Sequence, residues 1–451
     1  MAATDKEARF TALLHHVDVD RLRLAYFALR PKAAPGVDGV TWADYGLDLE
    51  ENLRDLHARV HRGAYRARPS RRVFIPKPDG RLRPLGVAAL EDKILQRAVV
   101  EVLNAIYEAD FLGFSYGFRP GRSPHHALDA LAAGIVGKKV NWVLDADFRD
   151  YFSSLDHQWL VKFFEHRIAD RRVLRLIQKW LAAGVIENGS WTAFEEGVPQ
   201  GASASPLLAN VYAHYVLDLW AHQWRTRHAH GDVVIVRWAD DFVVGFEHRE
   251  DAERFWAELR DRLAGFGLEL NAEKTRLIEF GRFAARDRAA RGLGKPETFR
   301  FLGFTHICAK TRKSGRFKLK RITDSKRVRV KLRALQGEIE RRRHQPIPEQ
   351  GRWLASVLRG HYQYYAVPEN TKALRAFRHE VVRHWLRALR DRSQRTTITW
   401  ERMSRLEARW LPTPRILHPW PEQRFRRQHP RQEPSAVVPH AGICAGGGPN
   451  L

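Results

Sequence analysis

The sequence predicts an α+β protein: an antiparallel sheet flanked by helices, followed by a helical and strongly basic C-terminal region. Three observations carry this. The apolar runs Val233-Val234-Ile235-Val236 and Phe242-Val243-Val244 flank a short polar centre at Arg237 to Asp241, a strand–turn–strand pattern. Val140 to Asp147 reads as a further strand, with Asp145 and Asp147 on one face because side chains alternate along a strand. Residues 310 to 343 hold fifteen lysines and arginines against Asp324, Glu338 and Glu340, while Val328, Leu332, Leu335 and Ile339 form one apolar helical stripe.

Composition bounds the class. The chain has 451 residues and 44% hydrophobic content, enough for two or three packed domains. A formal net charge of +25 points to a polyanionic partner, nucleic acid first. Two cysteines, Cys308 and Cys444, do not make a disulfide framework or a Cys-rich zinc site. The histidine pairs His15-His16 and His125-His126 lack Cys partners at ligand spacing. No apolar run approaches a membrane span and no signal-peptide pattern opens the chain, so the cytoplasm is the expected location.

In chain order, residues 1–60 read as an N-terminal helical extension, with Leu13, Val17, Leu22, Leu24, Ala28 and Leu29 at roughly helical spacing. A Gly/Pro/Asp loop, Ala34 to Val40, interrupts it. Residues 66–90 read as a basic hairpin turning at Pro78-Asp79-Gly80. Lys77 and Arg83 on its arms suit a triphosphate as point and fork donors. Residues 91–137 are helical apart from Phe114 to Ser123. There aromatic faces can stack on bases, and Arg119 and Arg122 can hold phosphates.

Beyond the Asp147 strand, Asp156 is a natural N-cap for a helix carrying Leu160, Phe163 and Phe164. Gly197 to Asn210 is a small-residue loop entering a helix, where a flat ligand can lie close to the backbone. Ala252 to Phe266 is an amphipathic helix, Leu268 to Ile278 a turn and strand, and Phe299 to Phe304 a strand pair with a glycine hinge. A second basic helix carries Leu374, Phe377, Val381, Trp385 and Leu389 on one face. From Leu411 the chain is Pro-rich and ends in Gly446-Gly447-Gly448, so residues 411–451 are expected to be a disordered tail.

Antiparallel packing of the two Asp-bearing segments would gather Asp147, Asp240 and Asp241. Adjacent carboxylates in a partly dry site repel and tend to take up a proton, unless a cation neutralises them. Three hard oxygen donors suit two Mg²⁺ ions. Such ions, about 3.5–4 Å apart, activate a 3′-hydroxyl and neutralise a leaving pyrophosphate.

The order of these blocks resembles the bacterial group II intron-encoded reverse transcriptase/maturase family, from about residue 10 to 425. The most specific stretches are Phe114 to Ser123, Asp145 to His157, Gly197 to Asn210, Arg237 to Val243, and Phe301 to Phe304. The resemblance implies a right-hand polymerase: fingers and palm over residues 61–308, then an α-helical thumb/maturase domain over 309–410. It implies an RNA-directed DNA polymerase, a nucleotidyltransferase that copies RNA into cDNA. It also implies binding of group II intron RNA to assist splicing and retrohoming, in the cytoplasm near the nucleoid.

By the same resemblance Asp147, Asp240 and Asp241 hold two Mg²⁺ ions, and Lys274 is a general acid toward pyrophosphate. Phe152 is the steric gate against a ribose 2′-hydroxyl. Lys77 and Arg83 grip the incoming dNTP, Pro199, Gln200 and Gly201 lie against nucleotide and template, and Ala239 touches the nucleotide or primer end. Arg119 and Arg122, with the primer grip Phe301, Leu302, Gly303 and Phe304, contact primer and template. The implied partners are intron RNA, a DNA target and primer, and dNTPs, with no membrane; a dimer is compatible. A domesticated reverse transcriptase in DNA repair or phage defence, and a splicing-only RNA chaperone, are the alternatives. The sequence departs from the family at Trp238, where Tyr or Phe is usual, and at Ala202, Ala204, Asp150 and Ala309.

Overall fold

The computed structural model describes residues 7–76, 82–193, 195–392 and 398–428, with Ala2 and Asp5. In chain order the elements are α1 (Val19–Phe27), α2 (Trp42–Leu47), α3 (Leu49–His61), β1 (Ser70–Pro76), β2 (Leu82–Val87), α4 (Leu90–Asp110), α5 (Pro124–Gly137), β3 (Trp142–Asp147), α6 (His157–Glu165) and α7 (Arg171–Ala182). There follow β4 (Val185–Glu187), β5 (Ser190–Thr192), α8 (Ser205–Ala213), α9 (Leu219–Arg227), β6 (Val233–Trp238), β7 (Asp241–Phe246) and α10 (Arg249–Ala264). The remainder is β8 (Arg276–Glu279), α11 (Ala284–Ala290), β9 (Phe299–Phe301), β10 (Phe304–Lys310), β11 (Phe317–Thr323), α12 (Ser325–Arg341), α13 (Ile347–Tyr365), α14 (Thr371–Arg390), α15 (Trp400–Trp410) and α16 (Pro421–Gln428). The strands form three sheets, ordered β2-β1-β4-β5, β6-β7-β3-β8 and β11-β10-β9. No helix among the described residues is long and apolar enough to cross a membrane.

The chain forms two compact units. The first comprises residues Met1–Ala127, Ala146–Val244 and Glu250–Arg276. Helix α4 runs through it with Ile94, Leu95, Ala98, Val99 and Leu103 buried, and α1 packs on α4 with Leu22, Ala25 and Tyr26 buried, while Leu24 of the expected stripe is exposed. Asp18 caps α1, and Asp156 caps α6 by accepting from the Trp159 amide at 2.8 Å, as its position before an apolar run predicts. The basic hairpin forms with Ile75 opposite Arg83, and β1 also pairs in parallel with β4.

The second unit comprises Leu128–Asp145, Gly245–Arg249 and Leu277–Leu451. Strands β9 to β11 precede its basic helices: β10 pairs with β11 from Phe304–Thr323 to Lys310–Phe317, and Asp324 then caps α12. Leu335, Leu354, Leu358, Leu374, Phe377 and Trp385 form the core under the basic helices.

The tail expected from Leu411 is ordered as far as Gln428. Leu411 is buried over that core, and its carbonyl accepts from Arg378 Nη2. Leu417 and His418 donate to the Ala366 carbonyl, and Arg424 reaches the buried Asp129 at 3.2 Å. A few anchoring side chains supply what the Pro-rich composition lacks. Residues 429–451 lie outside the described residues.

Candidate active site

The acidic turn forms as the sequence predicts: β6 ends at Trp238, Ala239 and Asp240 turn, and β7 begins at Asp241. Ala239 sits at φ 57°, a left-handed conformation that costs an L-residue on the order of 1–2 kcal/mol. The buried Arg237 holds it there. Its guanidinium donates to the Ala239 carbonyl at 2.9 Å, to Asn210 at 3.1 Å and to the Ser115 hydroxyl at 2.7 Å. It also makes two bonds, 2.7 and 2.6 Å, to the Asp218 carboxylate. Asp218 closes a π-helical stretch, His214–Asp218, between α8 and α9, and such bulges recur at functional sites.

From the other side, Asn210 Nδ2 holds the Gly117 carbonyl at 2.7 Å. Gly117 lies so close to the turn that a Cβ there would stand 2.4 Å from the Ala239 nitrogen. Arg237, Asp218, Asn210 and Gly117 are functional supports that residue-type reasoning missed. The available signal was a single arginine closing an otherwise apolar strand; Asp218 had none.

Six of the expected residues, Arg83, Asp147, Phe152, Gln200, Asp240 and Lys274, line one cavity of about 740 Å³. Asp147 ends β3, and its carbonyl is held by the Asn271 amide at 2.8 Å, which brings the Leu268–Thr275 turn alongside. The Lys274 ammonium consequently pairs with the Asp147 carboxylate. Burial raises the Asp240 carboxyl above the ordinary range, the Asp147 charge pushes the same way, and Lys274 and Arg83 oppose both. A half-dry carboxylate beside a second one is the donor chemistry that a hard divalent cation satisfies. Asp241 is half-buried and is not among the residues lining this cavity. Among the described residues no group of three or more His, Cys, Asp or Glu is arranged to hold a metal ion.

Phe152 follows the buried Tyr151, whose hydroxyl donates to the Ala209 carbonyl at 2.6 Å. The Phe152 carbonyl accepts from the Val198 amide at 2.7 Å, and Gly197 presses on the same backbone. The Pro199–Gly201 loop docks on β2, where the Gly86 amide donates to the Gln200 carbonyl at 2.8 Å. Of its three residues only Gln200 lines the cavity.

Two other expectations, at Ala239 and Arg119, are corrected. Ala239 is 3% exposed, so its part is to make the turn, and it has no surface for a nucleotide. Arg119 is buried. It is bonded to Glu108 and to the carbonyls of Leu112 and Ser115, and so braces its loop instead of meeting phosphate. Arg122 lies over the Tyr116 ring and reaches the Gly113 carbonyl. Phe301 and Phe304 are core residues of the second unit, paired across a turn in which Leu302 and Gly303 take φ 47° and 81°. The Leu302 carbonyl accepts from Tyr364 at 2.8 Å. Lys77 lies outside the described residues.

Comparison with known proteins bears on this site. Residues 75–306 match the family described as reverse transcriptase (RNA-dependent DNA polymerase). The chain is similar to protein YkfC of Escherichia coli (strain K12), 36% identical over 313 residues that cover 61% of this chain and 81% of that protein. It is similar to the group II intron-encoded protein LtrA of Lactococcus lactis subsp. cremoris, 37% identical over 175 residues covering 38% of this chain. That match spans 29% of LtrA's length. It is also similar to the putative COX1/OXI3 intron 1 protein of Saccharomyces cerevisiae, 28% identical over 326 residues, 61% of this chain and 38% of that protein.

Proposed function

Because the chain belongs to the reverse transcriptase family, in its group II intron-encoded branch, we propose that it copies RNA into DNA in the cavity beside the Asp240 turn and binds group II intron RNA to assist its splicing and retrohoming. One observation carries the catalytic half: Asp147, Asp240, Lys274, Arg83 and Phe152, from four separate parts of the chain, line a single cavity. Residues 61–308 are assigned to fingers and palm and 309–410 to the thumb.

Asp147 and Asp240, with Asp241 next in the chain, would hold two Mg²⁺ ions: the raised Asp240 carboxyl beside the Asp147 carboxylate is an oxygen donor set that fits that chemistry. Bound there, the metal supplies charge neutralisation and lowers the pKa of the primer hydroxyl. The chain's own groups do the rest. Arg83 takes the triphosphate as a forked donor, and Lys77 is assigned to the same task. The primer 3′-hydroxyl gives its proton to solvent water, its oxygen forms the bond to the α-phosphorus as the bond to the pyrophosphate oxygen breaks, and Lys274 gives a proton to the leaving group. Phe152 fills the space a 2′-hydroxyl needs. The exposed Lys326, Arg329 and Arg333 of α12 offer phosphate contacts to intron RNA. The net charge of +25 supports work on nucleic acid.

The test is primer extension on an RNA template with Mg²⁺ and dNTPs. Wild type extends, and Asp240→Asn falls to background. A wild type that does not extend, or a variant that extends equally, removes the assignment.

A further inference from the structure

Phe118 is a large apolar side chain, 52% exposed, lining a cavity whose other named walls are mostly polar. Its backbone is at φ 59°, where a bulky residue is a steric outlier. The neighbours explain why it does not relax. Gly117 is fixed by Asn210 and by its close approach to Ala239, and Arg119 is locked by Glu108 and two carbonyls. Phe118 is the single residue between two anchored points. Strain of this kind persists where the surroundings over-determine it, and it clusters at functional sites. Nothing in folding is gained by holding an exposed ring in a strained conformation.

The Phe118 ring meets Phe152 edge to face, with centroids 6.4 Å apart and planes at 79°. Tyr151 lies on Phe152 at 5.7 Å and 75°. Phe152 itself is only half-buried, so its ring orientation depends on these two neighbours. Tyr151 is pinned by its bond to Ala209. Phe118 is pinned through its backbone.

We propose that Phe118 is a specificity-determining positioning residue: it braces the Phe152 ring from the cavity side, so that the ring does not turn away from a ribonucleotide's 2′-hydroxyl. This rests on the polymerase reading of the cavity. A ring held by two edge-to-face contacts resists displacement, whereas one contact leaves it a path to swing. The strained Phe118 backbone is the cost of aiming the brace.

The experiment uses the full chain on an RNA template with Mg²⁺, and measures kcat/KM for dCTP and for rCTP separately. Phe118→Ala is expected to lower the preference for dCTP about threefold to tenfold, the scale of one aromatic contact. The change should come chiefly from better use of rCTP. Phe118→Tyr, which keeps the ring, should retain the wild-type preference. Phe118→Gly relieves the left-handed backbone but has no ring, and should match the alanine variant, which separates bracing from strain. A Phe118→Ala variant that keeps the wild-type preference, or loses both activities in proportion, overturns the brace alone. A wild type that extends no primer overturns the polymerase reading, and the brace with it.

Discussion

The guanidinium of Arg237 and the carboxylate of Asp218 meet through two hydrogen bonds, with both side chains at most 1% exposed. Burial opposes the Arg237 charge, and the Asp218 carboxylate more than restores it. The pair fixes the carbonyl of Ala239 and so the position of Asp240.

Removing one partner of such a pair leaves a buried charge uncompensated. Arg237→Ala or Asp218→Ala is expected to cost about 3–5 kcal/mol of stability. Arg237→Lys keeps the charge but cannot reach all five acceptor atoms, so it should fold and lose most primer extension. Urea unfolding beside extension assays checks both statements.

Asp240 works against stability. Its folded carboxyl has a raised pKa, so the unfolded chain gives up this proton first, and stability falls as pH rises from the unfolded pKa through the folded one. Asp240→Asn should therefore raise the Tm of metal-free protein at pH 7, with a gain that shrinks as pH falls toward the carboxylate range. Mg²⁺ should raise the wild-type Tm and do less for the variant. Thermal unfolding in EDTA and in Mg²⁺, at several pH values, measures this.

Arg119 braces a loop, and its loss should appear in folding, not in RNA affinity. Charged hydrogen bonds of this kind are worth about 1.5–3 kcal/mol, so Arg119→Ala should lower stability by about that much. RNA affinity of the folded fraction, and its salt slope, should stay at the wild-type value. Filter binding at several salt concentrations decides it.

On α12 the opposite holds. Lys326, Arg329 and Arg333 are exposed, and their removal spares the core. Each change to Gln is expected to weaken intron RNA binding and to reduce the salt slope by about 0.7–1. The unfolding midpoint should not move. Titration of intron RNA with each variant checks the slope.

Much of the fold is local in origin and was legible for that reason. The Val233–Phe246 hairpin follows from two β-branched runs around a turn, and the Asp156 cap follows from its position before an apolar stripe. The order of the Leu411–Gln428 segment was not legible, because its anchors, Ala366 and Asp129, are far away in sequence. Arg119 misled for the same cause. An arginine in an aromatic loop looks free until Glu108, in the last turn of α4, is found beside it.

The sequence by itself determined the candidate reaction: the acids, the basic residues and the aromatic at the gate position are residue types, and chemistry depends on type. Only the tertiary structure decided which of them share a cavity, that Arg119 and Ala239 serve the scaffold, and that Phe118 projects beside Phe152. Those outcomes depend on distance and burial. A buried arginine and an exposed one are spelled alike, and what separates them is the carboxylate that the fold brings within hydrogen-bond reach.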